Sequence, residues 1–528
     1  MSSVTGVRPL LKVALAQDRR NIAPWIVLIT ALSASSVVAY DWVFPDVASR
    51  AKLATTLGTN PALSLIFGPA HDLMSADGFN AWRAGALGVF FAALMAVLIV
   101  VRNSRADEDS GQAELLASGV MGRQTRLATA MTMGMLASVT LGVVSWLVTV
   151  AVGGGLMNTL ALSATFTAAG LMFTGVAAIA AQLGSEARAA NTVAVTVLGV
   201  AFIARGYVDA SQAPAWTAWL TPLGWLEQVK PASGNNLWPL LPALAFAAAT
   251  AVIAAVLNGR RDFGMGMMAP RRGPAHGGRS ATVWGLALRL NRGSLISWLA
   301  ALAGLGAVFG FLAGPVSDIL ADGPGGFVPL GGISGTAGPL FAFLVQILSI
   351  IAIIAAVFGV QIVLRVYAEE IDHRVEPLLA GSLRRSTYLA GNALVAFAGP
   401  ALGMLIAGTV LGLVASQAQP GIAVADVIGQ AAVTVPAVWV LIALALAAVG
   451  ANPRVRLVGW LGVVLTFALT ILGPLFNLKE VILDISPLRH VPAITVAGTD
   501  WTGLAWISAI AALFTAVGFV GFRRRDVI

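Results

Sequence analysis

AGALGVFFAALMAVLIVV, residues 84–101, is a run of 18 residues without a charged side chain. A hydrocarbon layer about 30 Å thick needs about 20 such residues at a rise of about 1.5 Å each. The run is therefore predicted to cross a membrane as a helix. Outward from it, charge-free runs of similar length recur at 22–40, 127–152, 157–181, 189–204 and 238–257. Six more follow at 294–313, 339–364, 386–413, 425–449, 457–475 and 502–521, with Asp426 at one edge as the single charge. Pro24, Pro339, Pro400 and Pro436 lie inside these runs. They do not veto helices, because neighbouring groups in a membrane bundle re-satisfy the freed backbone. The predicted fold is an all-α polytopic membrane protein with twelve transmembrane helices.

The composition agrees. Of 528 residues, 58% are hydrophobic and 11% charged, against about 25% charged in soluble domains. Mean hydropathy is +0.86. A disordered chain, a collagen-like chain and an ordinary soluble enzyme are all excluded. There is no cysteine, which removes disulfides, thiolate metal sites, iron–sulfur clusters and cysteine nucleophiles. Only four of the 32 basic residues are lysine, a skew that points to a high-GC bacterium. The first apolar run follows twenty polar or amphipathic residues and is read as a true span rather than a signal peptide.

Lys and Arg set the orientation. With the N-terminus in the cytoplasm, 25 of the 32 basic residues fall on cytoplasmic segments and seven outside. The positive-inside rule then places both termini in the cytoplasm of a multi-pass plasma-membrane protein. Headgroup anchoring accounts for the basic balance, and lipid rather than nucleic acid is the expected partner.

The chain reads as two halves. Residues 258–280 are rich in Gly, Pro and Arg and form the expected cytoplasmic linker between 1–257 and 281–528. Its Met265, Met267 and Met268 have only His276 nearby, so linker is favoured over a soft-metal site. Three local matches join the halves. Arg19 precedes Trp25 as Arg292 precedes Trp298; RADEDSGQAELLASGVMGR (105–123) parallels YAEEIDHRVEPLLAGSLRR (367–385); TPLGW (221–225) parallels SPLRH (486–490). Their near-constant offset indicates an internal duplication. Six spans per half keep both halves the same way up, so the expected layout is two parallel six-helix repeats about a pseudo-two-fold axis along the membrane normal. LLKVALAQDRR (10–20) and LALRLNR (286–292) before the halves are expected to lie in the cytoplasmic interface.

Much chemistry is missing. A P-loop needs a lysine directly after glycine. Lys12, Lys52, Lys230 and Lys479 follow Leu11, Ala51, Val229 and Leu478. If ATP drives this chain, another polypeptide binds it. Ion-coupled transport usually needs ionisable groups within the membrane, and the spans as read contain only Asp426. The four histidines have no metal-ligand spacing, so no metal site and no catalytic residue is assigned. His71-Asp72 in the 41–83 loop is read as part of a loop packing over the outer mouth.

The informative residues lie after spans two and eight. Asp107, Glu108 and Asp109 open one segment, with Glu114, Leu115 and Leu116 following; Glu369, Glu370 and Asp372 open the other, with Glu376, Leu378 and Leu379 following. Acids suit a helix N-terminus. Of twelve cytoplasmic acids in this orientation, eight sit in these two segments. One copy could simply offset nearby arginines. Two copies favour docking on a soluble partner, with leucines as anchor and carboxylates as steering charge.

The run Arg105-x-x-Glu108 with Glu114-Leu115-Leu116 resembles the coupling segment of ABC-2 type exporter permeases. The fused form, with Arg-x5-Trp before each half and x-Pro-Leu before each last span, resembles actinobacterial polyketide-antibiotic (tetronasin-type) and multidrug exporter permeases. The chain departs from that pattern at Pro377, which stands before the second leucine pair, and at Asp107, where glutamate is usual. The resemblance implies a permease subunit that exports hydrophobic or amphipathic antibiotics, drugs or lipids. It implies no cofactor on this chain, with ATP and Mg on a separate ABC ATPase that docks as two copies. It also implies a central pathway between the halves. Candidate lining residues from spans two, five, eight and eleven are Phe90, Phe91, Met95, Asn191, Thr192, Phe341, Gln346, Trp460, Thr466 and Phe467, since aromatics and Met suit an adaptable apolar pocket. The alternative is an ion-gradient-driven secondary efflux transporter working alone.

Overall fold

A computed structural model of the chain describes residues 5–56, 61–109, 122–210, 214–261, 265–268, 278, 282–321, 339–381, 383–418, 421–472, 479–495 and 499–525. Among the described residues no strand occurs, and twelve helices are long and apolar enough to cross a membrane. They are α1 (Val7–Val43), α2 (Ala76–Val101), α3 (Thr125–Ala151), α4 (Leu156–Leu183), α5 (Ala187–Ala210), α6 (Leu240–Arg260), α7 (Val283–Ala321), α8 (Pro339–Ile371), α9 (Arg385–Ala418), α10 (Val424–Ala451), α11 (Val458–Phe467, within an apolar stretch Pro453–Thr470) and α12 (Thr502–Arg524). The chain divides into two compact units, Met1–Gly273 and Pro274–Ile528.

Each unit is organised around its fourth helix. In the first, α4 packs against α2, α3 and α6; in the second, α10 packs against α8, α9 and α12. Both central helices are rich in alanine and glycine, which lets backbones approach where water gives no hydrophobic drive between helices. Gly450 of α10 and Gly518 of α12 show such a close approach. A Cβ on Gly450 would stand 2.1 Å from the Gly518 carbonyl oxygen. Gly450→Val is therefore expected to push α12 away and cost about 1–3 kcal/mol. Thermal unfolding of the purified variant checks this, and an unchanged midpoint contradicts it. The repeated tryptophans have matching roles: Trp25 lies against Phe91 and Trp298 stacks on Phe358 at a 5.5 Å centroid distance.

Two expectations change, and part of the expected linker gains contacts. The stretches 10–20 and 286–292 are continuous with the spans that follow, within α1 and α7. They are extensions of those helices rather than separate interfacial segments. The fifth span runs past 204 to Ala210 and takes in Arg205 and Asp209. Those charges can stay helical because they pair one turn apart, at 2.9 Å. The start of the expected linker is built into the fold: Met267 and Met268 donate backbone N–H groups to the carbonyls of Gln182 and Leu183 at the end of α4. In the 41–83 loop, Asp72 accepts from Met74 N and from Ser75 Oγ, and Ser75 caps α2 through Gly78 N. That carboxylate is engaged in ordering the helix start.

Candidate functional site

The apolar run that opened the sequence reading does not end its helix. α2 passes through a π-helical turn, Arg102–Ala106, into Asp107–Asp109. Such turns often mark functional positions. Here it carries Arg105 inward, where its side chain is 1% exposed. Arg105 Nη1 meets Glu108 Oε2 at 2.5 Å, while Nε and Nη2 donate to the carbonyls of Ala181 and Met265. Glu108 is gripped again from the far end of the unit. Arg261, the residue that caps α6, donates from Nη1 to Oε2 at 2.9 Å and from Nη2 to Oε1 at 2.6 Å. Its Nε donates to Gln182 Oε1.

The second unit holds its own acid in the same way. Glu370, near the end of α8, is 3% exposed and accepts from Arg525 Nη2 on both oxygens at 2.7 Å. Arg525 caps α12 as Arg261 caps α6, and both have extended backbones (φ −81°, ψ 154° and φ −94°, ψ 154°). Arg525 Nε also donates to the Gly450 carbonyl, the group that the close approach of α10 and α12 leaves within reach. In each unit, then, the arginine after the last helix clamps an acid at the end of the second. Charge-assisted pairs of this kind are short and orienting. Buried as they are, they fix geometry more than they add stability.

A second tie repeats. Asp18 of α1 pairs with Arg102 at 3.1 Å and accepts from Asn103. Asn291 of α7, which follows Asp18 at the offset of the repeated Arg-x5-Trp motif, accepts from Arg365, whose Nη1 also donates to Leu290 O. Glu369 accepts from Arg365 Nε at 3.1 Å and from Tyr388 Oη at 3.0 Å.

The remaining acids differ in exposure. Asp109 is exposed and accepts from the Ala187 backbone N–H at the start of α5; Asp107 is half-buried. In the second unit the chain turns at His373, whose φ of +56° is left-handed. Asp372, His373, Arg374 and Glu376 form an exposed edge, with His373 Nδ1 2.7 Å from Glu376 Oε1 and Arg374 3.3 Å from Asp372. Pro377 sits in the first turn of the short helix Glu376–Leu379. Leu378 and Leu379 rest on the unit's own core. Glu114, Leu115 and Leu116 lie outside the described residues.

The candidate pathway residues scatter within their units. Phe90 packs edge-on to Phe91 and Phe202 at 5.6 and 5.0 Å. Met95 is enclosed by the first unit's core. Asn191 Oδ1 is buried with no hydrogen-bond partner among the described residues, and Thr192 donates to the Arg188 carbonyl one turn back. Phe341 and Trp460 line the edge of the second core, Gln346 is half-buried, Thr466 is buried and Phe467 is exposed. The sequence reading missed Arg261, Arg525, Gln182 and Tyr388. The available signal was position: each clamp arginine directly follows the last span of its half.

The chain matches the family model described as "Multidrug efflux system permease Rv1217c, C-terminal domain" over residues 14–257 and 281–523. It is 37% identical over 534 residues to the multidrug efflux system permease protein Rv1217c of Mycobacterium tuberculosis (strain ATCC 25618 / H37Rv), covering 100% of this chain and 96% of that protein.

Proposed function

The chain belongs to the multidrug efflux permease family, and from that premise we propose that it is the membrane subunit of an ATP-driven exporter, energised by a separate ATPase. It is a permease of the plasma membrane with twelve spanning helices. In the proposed arrangement both termini are cytoplasmic and the two units are parallel repeats about an axis normal to the membrane. One ATPase copy, carrying ATP and Mg, docks beneath each unit. The cargo is hydrophobic or amphipathic: an antibiotic, another drug or a lipid.

The observation that carries this reading is the repeated clamp. Arg261–Glu108 and Arg525–Glu370 tie the last helix of each unit to the segment after the second. A push on that segment is thereby delivered to helices at both ends of the unit, as a two-state transport cycle requires. The same family model on two stretches of near-equal length supports the repeat. The lack of any Gly-Lys pair supports a separate fuel subunit. The exposed edge Asp372–Glu376 is the proposed contact in the second unit, while Glu108 and Glu370 act inside the permease to hold the contact in place.

A gradient-driven mechanism has one observation in its favour: Arg205 and Asp209 lie within helix α5, where ionisable groups serve proton relays in other transporters. Cross-linking separates the two. The chain has no cysteine, so Glu376→Cys carries a unique thiol. A short thiol-to-amine linker is expected to join it to a co-expressed ATPase in native membranes. A linker that captures only the permease itself contradicts docking at this edge.

A further inference from the structure

The Arg205 end of α5 faces a small cavity in the first unit. Arg205 and Asp209 are 5% and 6% exposed and pair at 2.9 Å. Arg205 Nη2 donates to the carbonyls of Leu65 and Ile66, and its guanidinium lies 4.7 Å from the Phe202 ring centroid. Its Nε–H is sealed from solvent and has no acceptor among the described residues. Opposite, Glu227 ends the short helix Pro222–Glu227. Both its carboxylate oxygens are sealed from solvent, and no N–H or hydroxyl donor among the described residues reaches either. Asp209 is the acid whose charge bears on it most. Two neighbouring carboxylates resist ionising together. Burial, and then the Asp209 charge, push Glu227 up to about 8.

The cavity between them is about 70 Å³, walled by Arg205, Glu227, Lys230 and His71 and by the apolar faces of Trp82 and Phe202. Gly68 keeps one side open: its φ is +82°, and a Cβ there would meet Glu227 Oε1 at 3.0 Å and Arg205 Nη1 at 3.2 Å. One water needs about 10–15 Å³ in this measure, so the space holds several waters and can admit the head of a ligand. Charge selects the head. Arg205 and Lys230 in the cavity wall are balanced by Asp72 in the same wall and by Asp209, which pairs with Arg205 behind it, and desolvation together with Lys230 holds His71 below its ordinary value, hence neutral. With Glu227 protonated the sum is zero; with Glu227 ionised it is one negative charge.

We propose that this cavity is a subsite for the protonated amine of an amphipathic monocation, with Glu227 as counter-ion and the amine taking the place of the Glu227 proton. One cation enters and one proton leaves to solvent, so the charge around the site is unchanged. The indole of Trp82 and the ring of Phe202 add aromatic faces that favour a cation. The inference rests on the reading of the chain as an exporter of amphipathic compounds and names the class of compound.

The test is equilibrium binding of dansylcadaverine, a fluorescent primary amine, to the full chain in lipid nanodiscs without ATP or ATPase. Its N-acetylated, uncharged analogue is the control. Affinity for the amine is expected to rise about tenfold per pH unit from pH 6 to 7.5 and to level off above pH 8, with nearly one proton released per amine at pH 7. Glu227→Gln is expected to weaken amine binding at pH 8.5 at least tenfold and to abolish the pH dependence. Lys230→Met, which removes a competing cation, is expected to tighten it severalfold, and it carries the test if the first variant does not fold. Equal binding of amine and acetylated analogue, or an unchanged pH profile in Glu227→Gln, overturns the proposal. So does Lys230→Met without tighter binding. Amine binding with the expected pH signature but no ATP-dependent efflux supports the subsite and counts against the exporter reading. ATP-dependent efflux without that signature overturns the subsite alone.

Discussion

Arg525→Met is expected to lower the stability of the second unit by about 3–5 kcal/mol, the usual cost of leaving one member of a buried ion pair alone. Glu370 is 3% exposed, and Arg525 supplies its side-chain ion pair on both oxygens. Without it the carboxylate must be buried unpaired or take up a proton. Glu370→Gln placed in the same chain removes the orphaned charge, so the double variant is expected to recover most of the loss. Arg261→Met is expected to cost less, because Glu108 keeps Arg105 at 2.5 Å. At about 2–4 °C per kcal/mol for a unit of this size, the Arg525 change lowers the thermal midpoint by roughly 10 °C. Equal losses for Arg261→Met and Arg525→Met, or a double variant no better than the single, would show that the clamps are not the organising contacts described above.

Asp372→Lys combined with Glu376→Lys is expected to reduce ATP-dependent efflux at least tenfold while leaving the thermal midpoint unchanged. These side chains are 52% and 55% exposed, and their partners His373 and Arg374 are themselves exposed. Surface pairs of this kind contribute little to stability, so their charge is free to serve steering and docking. In the proposed docking, reversing it repels the ATPase without disturbing the core beneath Leu378 and Leu379. Drug accumulation in cells expressing the permease and its ATPase, beside a melting curve of the purified permease, measures both halves of the expectation. Normal efflux removes the edge from the coupling contact. A fallen midpoint means that the loss reports damage rather than docking.

The two sets of acids separate what was legible in the sequence from what was not. Spans were legible because absence of charge over about 20 residues has one main physical cause. The acid-rich segments were legible because they occur twice. Their pairings were not. Arg261 lies 153 residues from Glu108, and Arg525 lies 155 from Glu370. Only the packing of α6 and α12 against the central helices brings them together. In the sequence both arginines read as headgroup anchors. The fifth span was cut short for a related reason. A count of charges stops at Arg205, whereas the folded chain cancels Arg205 against Asp209 one turn later and against the carbonyls of Leu65 and Ile66. The leucines of the second segment pointed to a partner by composition, yet Leu378 and Leu379 are held by the permease itself.

Transport by the reconstituted chain tests the central claim most directly. Vesicles containing the purified permease, loaded with a fluorescent amphipathic compound, are compared with and without the ATPase, ATP and Mg, and with an imposed proton or sodium gradient. The account predicts movement of the compound only when ATPase and ATP are both present, and no response of the lone chain to either gradient. Gradient-driven movement by the permease alone would contradict it.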